Sequence, residues 1–419
     1  MRLTVLYRKL GPGFITGASD DDPSGIATYS QTGAQFGYSQ LWTAPFSFPF
    51  MAAIQEMVGR IGLVTGRGLS AIIKEHYSKK ILYFSVGLLL VANTVNIGAD
   101  LGAMAASAQL LFGLPFVVWL FGITIFTALL EVFVSYQVYA RFLKYLTFSL
   151  FAYFVTAFVV KQDWSAALFA TLVPHLVFTE QYMLNIVAIL GTTISPYLFF
   201  WQASEEVEEE IAHHKLAVMG QGKPRVNHKD IRDMRLDTIV GMFFSNLVMY
   251  FIILTAASTL GTHGITEVAT ASAAAEALRP LAGDFTFFLF ALGIIGTGLL
   301  AVPILAGSAS YAVAEALGWR SGLYRRLVQA HGFYGVIALA TLAGLLVNFL
   351  SVPPFKMLYY TAVLNGIIAP PLLVLIMLIA NRHDIMGRHI NSPLSNIMGW
   401  TATGLMTAAA LALIIMMVF

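Results

Sequence analysis

Apolar stretches of about 20 residues, enough to cross a hydrocarbon core of ~30 Å, recur along this chain from end to end. Between them lie short polar turns marked by Gly, Pro and charge. The pattern predicts eleven transmembrane helices at 12–38, 41–64, 81–111, 114–134, 142–160, 181–202, 237–260, 284–314, 329–350, 355–380 and 395–418, here called spans 1 to 11. The longest polar interval, 203–236, is too short and too charged to build a core of its own. Residues 1–419 therefore read as one polytopic domain, an all-α membrane protein. The first ten residues lack the basic flank, short apolar core and small-residue cleavage site of a signal peptide, so span 1 is expected to stay.

Composition agrees. The chain is 58% hydrophobic and 11% charged, against roughly 25% charged residues in soluble domains. Cysteine is absent, which excludes disulfides, thiolate metal sites and cysteine nucleophiles. A net charge of +2 with scattered basic residues gives no footprint for nucleic acid. All but three of the 24 Lys and Arg residues, the exceptions being Lys161, Arg279 and Lys356, fall in the N-terminus or in the loops after even-numbered spans. By the positive-inside rule this places the N-terminus in the cytoplasm and the C-terminus outside the cell, in a plasma-membrane protein. The run EEVEEE at 205–210 reads as a water-exposed extension of span 6, with a cation-attracting vestibule as the sharper alternative.

Two spans are interrupted. Span 1 contains GASDDDPSGIATYS, where Asp22-Pro23 breaks the helix because proline lacks a donor and disfavours helical geometry in the residue before it. Span 6 contains LGTTISPYLFFWQ, with a similar break at Ser195-Pro196. Each break lies in the first span of a block of five, and span 11 is left over. Paired discontinuous helices of this kind meet near the midplane in transporters built from inverted repeats, where unwound carbonyls and side chains hold the substrate or ion. That divides the chain into a first repeat, 1–160, a second, 181–380, and an additional helix, 395–418.

A carboxylate at the bilayer centre costs about 2.5–3.5 kcal/mol on insertion scales, so three together point to a site. Asp22, next to the break, is the first candidate ligand. Asp20 and Asp21 are possible pathway residues, placed in a wider aqueous vestibule. Glu56 in span 2 and Asp100 in span 3 are structural partners or pathway residues. Asn93, Asn96 and Asp100 share span 3, and Asn96 and Asp100, four apart, share one face. Tyr360, Thr361 and Asn365 of span 10 read as interhelical hydrogen-bonding groups, Asn365 being kept as a supporting candidate.

These residues resemble the NRAMP divalent-metal transporters. The similarity is carried by Asp22-Pro23 with ATYSQTGAQFGY, by GRIGLVTGRGLS, by ADLGAM with LLFGLP, and by the Gly191–Pro196 segment. It implies a LeuT-type fold with inverted repeats, discontinuous helices 1 and 6, and alternating access. It also implies a metal site of Asp22 and the Thr192 carbonyl. Gly25 stands where the family signature has asparagine, and Ser195 where it has methionine. Tyr197 and Gln202 align with two histidines, and Asp100 keeps an aspartate whose partner glutamate is replaced by Ala103. The departures resemble the NRAMP-related magnesium transporter branch.

Ligand chemistry leads the same way. Thioethers favour softer transition metals, whereas carboxylate, carbonyl, hydroxyl and water suit Mg²⁺ and Mn²⁺. Gly25 and Ser195 are also small, leaving room for an ion that keeps part of its water. The metal set that the resemblance implies is Asp22, Gly25, Thr192 and Ser195, with Asp20, Asp21, Asp100, Tyr197, Gln202 and Asn365 in support. The expected cargo is Mg²⁺, with Mn²⁺, moved by gradient and membrane potential without proton coupling, because all nine histidines lie in loops or at helix ends. A proton-coupled Mn²⁺ or Fe²⁺ importer is the alternative. No resident cofactor and no obligatory protein partner are inferred beyond the metal ion and the bilayer. Enzymatic activity is not expected: an intramembrane hydrolase would need a paired catalytic constellation, and His-Glu-x-x-His is absent. Carboxylates at the break would repel an amino-acid substrate, and a channel would show single-channel conductance rather than saturable uptake.

Overall fold

A computed structural model describes residues 11–134 and 150–418. Helices of eight residues or more are numbered in chain order: α1 Pro12–Asp20, α2 Pro23–Phe36, α3 Thr43–Thr65, α4 Leu69–His76, α5 Lys79–Phe112, α6 Phe116–Phe133, α7 Phe151–Val159, α8 Trp164–Leu172, α9 Glu180–Thr193, α10 Pro196–Ala212, α11 His228–Thr259, α12 Thr286–Leu317, α13 His331–Val347, α14 Pro354–Ala380 and α15 Pro393–Val418. Among the described residues there is no strand, only an isolated bridge between Val218 and Gln221. Seven helical stretches there are long and apolar enough to cross a membrane, and α13 is a shorter apolar helix. The first part of span 5 (142–149) and the basic residues of 1–10 and 135–149 lie outside the described residues.

The apolar surface is inverted relative to a water-soluble domain. Phe121, Ile125, Phe126, Leu129 and Phe133 of α6, with Leu339, Leu342 and Leu346 of α13, are exposed. An apolar belt of this kind has no place in water and suits a lipid solvent. Buried positions, by contrast, include many polar residues, and these gather along α2, α5, α10 and α11. Long helices α5 and α12 pack side by side and carry α13 and α14.

Both expected breaks are present, and each has a local cause. At the first, Asp21 leaves helical geometry and Asp22 (φ −69°, ψ 172°) caps α2, with Pro23 at the first helical position where a missing N–H costs nothing. At the second, Ile194 and Ser195 (ψ 135°) separate α9 from α10, and Pro196 again opens the following helix. Elsewhere the helices outrun the hydropathy. α10 continues to Ala212 and α11 begins at His228, initiated by a capping box of Asn227 and Asp230. The short helices α4 and α8 were not predicted.

α1 and α2 lie along α11. A Cβ on Gly17 would collide with the backbone of Gly241, so only glycine permits this crossing. The start of α1 is capped from 224 residues away: Asp237 of α11 accepts from the backbone N–H groups of Gly11 (2.9 Å), Gly13 (2.7 Å) and Phe14 (3.2 Å). These are donors that an α-helix leaves unpaired at its start, and a carboxylate there also complements the helix dipole. The first half of the broken span is therefore fastened to α11 at one end and free of helical bonds at the other.

Asp237→Ala is expected to lower the stability of the detergent-solubilised protein by about 1.5–3 kcal/mol, the range for hydrogen bonds to a charged group. Gly17→Leu should lower it further, because α1 must leave α11. Thermal unfolding of both variants checks this, and an unchanged midpoint contradicts it.

Candidate functional site

The acids of span 1 are buried. Asp20, Asp21 and Asp22 are 0, 4 and 1% exposed, so the wider aqueous vestibule expected for the first two is not there. The physical reason is packing: with Gly17 against Gly241, α11 covers this face of α1 and presents Ser245 to both residues. Ser245 Oγ lies 2.6 Å from Asp20 Oδ2 and 3.3 Å from Asp21 Oδ1.

Asp22 faces the opposite partner, α5. Its Oδ1 accepts from Ser24 Oγ (2.6 Å) and Gly25 N (2.8 Å), which completes the cap of α2. Its Oδ2 accepts from Asn96 Nδ2 at 3.2 Å. One turn further along α5, Asp100 is fully buried and within electrostatic range of Asp22, and neither of its oxygens has a donor. Asp20 Oδ1 and Asn96 Oδ1 are also buried and unpartnered. Among the described residues, no ion pair reaches any of the four aspartates. Buried carboxyls normally find a counter-charge or give up their charge to a proton. Here acceptors outnumber donors around the first break.

The second break closes the arrangement from the other side. Ser195 Oγ donates to the carbonyls of Gly191 (2.7 Å) and Thr192 (2.8 Å), tying down the frayed end of α9. Thr192 Oγ1, Asp20 O and the Tyr29 ring all stand about 3.3 Å from where a Cβ on Gly25 would sit. Gly25 is thus the point where the two broken spans approach each other, and the room left by its missing side chain is narrow in this conformation. Tyr197 Oη donates to Ser19 O (3.0 Å), linking α10 to α1 on the far side of the break.

Other candidates sit elsewhere. Gln202 Nε2 donates to Glu206 Oε1 (2.7 Å), two turns from the break. Asn365 is buried with its Nδ2 unpartnered, whereas Thr361 bonds to Leu358 O in its own helix and Tyr360 is exposed. The interhelical role expected of Thr361 and Tyr360 is therefore not met. Asn93 donates to Leu305 O (2.8 Å) and serves the α5–α12 contact. Glu56 is a structural partner: it meets Arg60 at 3.0 Å and Arg235 at 2.6 Å, and Arg60 also donates to Asn391 Oδ1 and to the His389 carbonyl.

The EEVEEE run corrects the sequence reading. Glu205, Glu206, Glu208 and Glu210 are buried rather than water-exposed. Two of the buried acids meet donors outside the helix: Glu208 accepts from Tyr311 Oη (2.6 Å), Leu323 N (2.7 Å) and Tyr324 N (3.1 Å), and Glu210 meets Lys215 at 3.3 Å. Residues that sequence reasoning passed over, Ser245, Ser24 and Tyr29, give no signal beyond being small or polar in an apolar span. On the other side of α2, a cavity of about 420 Å³ runs between Gln31, Gln35, Gln181 and Tyr360 and reaches Ala27. Lys356 and Glu267 pair at its wall at 2.5 Å.

Comparison with known proteins sharpens this geometry. Residues 13–416 match the Nramp family, described as natural resistance-associated macrophage protein-like. The chain is 27% identical over 423 residues to the divalent metal cation transporter MntH of Mycobacterium leprae, covering 98% of this chain and 92% of that one. It is 25% identical over 406 residues to the MntH of Deinococcus radiodurans, covering 93% and 86%. Among solved structures, the Eremococcus coleocola manganese transporter superposes with a TM-score of 0.75 at 16% identity, over 97% of this chain and 86% of that one. Mhp1, a nucleobase-cation-symport-1 family transporter, does so with a TM-score of 0.58 at 12% identity, over 97% and 92%. The likeness to these structures concerns the fold, and it is the LeuT-type fold that the family resemblance implied.

Proposed function

The chain belongs to the Nramp family, and from that premise we propose that it carries divalent metal cations, Mg²⁺ first and Mn²⁺ with it, across the plasma membrane through an alternating-access site at the paired breaks. The observation that carries this reading is the surplus of buried acceptors beside Asp22, namely Asp20 Oδ1, Asn96 Oδ1 and both oxygens of Asp100, with no basic residue among the described residues paired to the acids. A cation is the ligand such a surplus suits. Curated relatives matched across most of this chain are named divalent metal cation transporters, not enzymes.

Oxygen-only donors support Mg²⁺ and Mn²⁺ over softer metals, since the sulfur that favours those is replaced by Ser195. Span 1 and span 6 would act as the moving halves of two repeats, 1–160 and 181–380, with the residues 395–418 outside them and the N-terminus in the cytoplasm. Asp237 on α11 and Tyr197 on α10 hold α1 in its present place. The membrane potential is a sufficient drive. Each charge gains ~2.3 kcal/mol per 100 mV, hence about 4.6 kcal/mol for a divalent cation entering a negative interior.

The second reading, a proton-coupled Mn²⁺ or Fe²⁺ importer, is favoured by one observation: Asp100 is a buried carboxyl with two unpaired oxygens beside Asp22. Purified protein in liposomes separates the two. Asp22→Ala should abolish saturable Mg²⁺ and Mn²⁺ uptake, and normal transport by that variant would refute the site. An internal pH dye should report no acidification during wild-type Mg²⁺ uptake; acidification that disappears in Asp100→Asn would establish the coupled reading instead. Cd²⁺ should compete weakly, and strong competition would contradict an oxygen-only site.

A further inference from the structure

Asn96 is the amide beside the first break, and its two ends are treated unequally. Its Nδ2 donates to Asp22 Oδ2 at 3.2 Å, the longest bond that carboxylate makes, while its Oδ1 is buried without a donor. Asp100, one turn along the same face of α5, offers two more unpartnered oxygens. As it stands, the amide has no better choice. Turned over, its Oδ1 would face Asp22 Oδ2, and two acceptors would repel.

A hydrated cation against Asp22 reverses that preference. Metal-bound waters donate hydrogen bonds outward, so an amide oxygen beside the ion becomes favourable, and the amide nitrogen is released towards Asp100, four residues away on the same helix face. Building on the cation-site reading above, we infer that Asn96 reads the hydration shell of the transported ion. On occupancy its side-chain amide turns over, Oδ1 accepts from a cation-bound water, and Nδ2 donates to Asp100. Asn93, three residues earlier, is committed to Leu305 O and has no such freedom.

This role has a selectivity consequence. Mg²⁺ dehydrates reluctantly and keeps several waters, so it depends on an acceptor for those waters more than an ion that exchanges them readily. Asn96 is thus a specificity-determining residue supplied by α5, outside the two broken spans.

The test is uptake into proteoliposomes by wild type, Asn96→Ala, Asn96→Asp and Asp22→Ala, with KM measured for Mg²⁺ and Mn²⁺. Asn96→Ala is expected to raise the Mg²⁺ KM by roughly tenfold, the lower end of the range for partners that act on a metal through its first shell, and to raise the Mn²⁺ KM less. Asn96→Asp keeps an acceptor for the cation-bound water but can donate to neither Asp22 nor Asp100, so it should raise the Mg²⁺ KM less than Asn96→Ala does. If Asn96→Asp is as impaired as Asn96→Ala, Asn96 serves only as a donor to Asp22 and the inference is overturned. An unchanged Mg²⁺ to Mn²⁺ preference in Asn96→Ala overturns it too. Wild-type protein supplies a measurement independent of any variant's folding: hexaamminecobalt(III), whose fixed ammine shell donates hydrogen bonds as hydrated Mg²⁺ does, should inhibit Mg²⁺ uptake competitively, and absence of inhibition counts against the inference. Normal uptake by Asp22→Ala would instead remove the underlying cation site; loss of uptake there with an unremarkable Asn96 series would remove only the role of Asn96.

Discussion

Four carboxyl groups, those of Asp20, Asp21, Asp22 and Asp100, are buried in the middle of an apolar bundle without a basic partner among the described residues, and the surrounding structure is arranged to tolerate them. The helix breaks are part of that arrangement. An unbroken span 1 would point three consecutive aspartates about 100° apart around its axis, towards three different neighbours. With the chain unwound at Asp21, Asp20 and Asp21 meet Ser245 of α11, and Asp22 turns to α5. The N-terminus of α2 adds two donors to Asp22, and its dipole favours an anion there. What remains unsatisfied is a set of acceptor oxygens facing inward, a demand that a cargo cation fits.

The same economy governs the ends of the broken helices. α1 would start with unpaired donors and α9 would end with unpaired carbonyls. Asp237 satisfies the first set and the Ser195 hydroxyl part of the second. Both are side-chain contacts that can be released without unfolding the long helices α5, α11 and α12. Each break thus lies between ends fastened by side chains, within a LeuT-type fold shared with the solved neighbours.

Much of this was legible in the sequence because lipid imposes simple rules. Spans had to be apolar and long, and Asp22-Pro23 and Ser195-Pro196 had to interrupt helices whatever surrounded them. Lengths were less legible where helices leave the bilayer: α11 begins at His228 because Asn227 and Asp230 cap it, a local signal that hydropathy does not weigh. The acidic run 205–210 misled because charge density suggests water. Glu208 at its centre is instead met by donors from a distant segment, Tyr311 and the backbone of Leu323 and Tyr324, and no local pattern announces those partners. In the same way Ser245 and Asn96 are ordinary polar residues until the fold brings them to the aspartates. Asp22, Gly25, Thr192 and Ser195 do converge where the two breaks meet, but Gln202 faces away, towards Glu206.

The most direct test of the central claim, that the inward-facing oxygens at the paired breaks hold a divalent cation, is anomalous diffraction from crystals of the protein soaked in Mn²⁺. The account predicts a manganese peak within coordination distance of Asp22 Oδ2, between α2, α5 and the Thr192 end of α9. A peak confined to the Glu205–Glu210 segment, or no peak beside Asp22 at a concentration that saturates uptake, would contradict it.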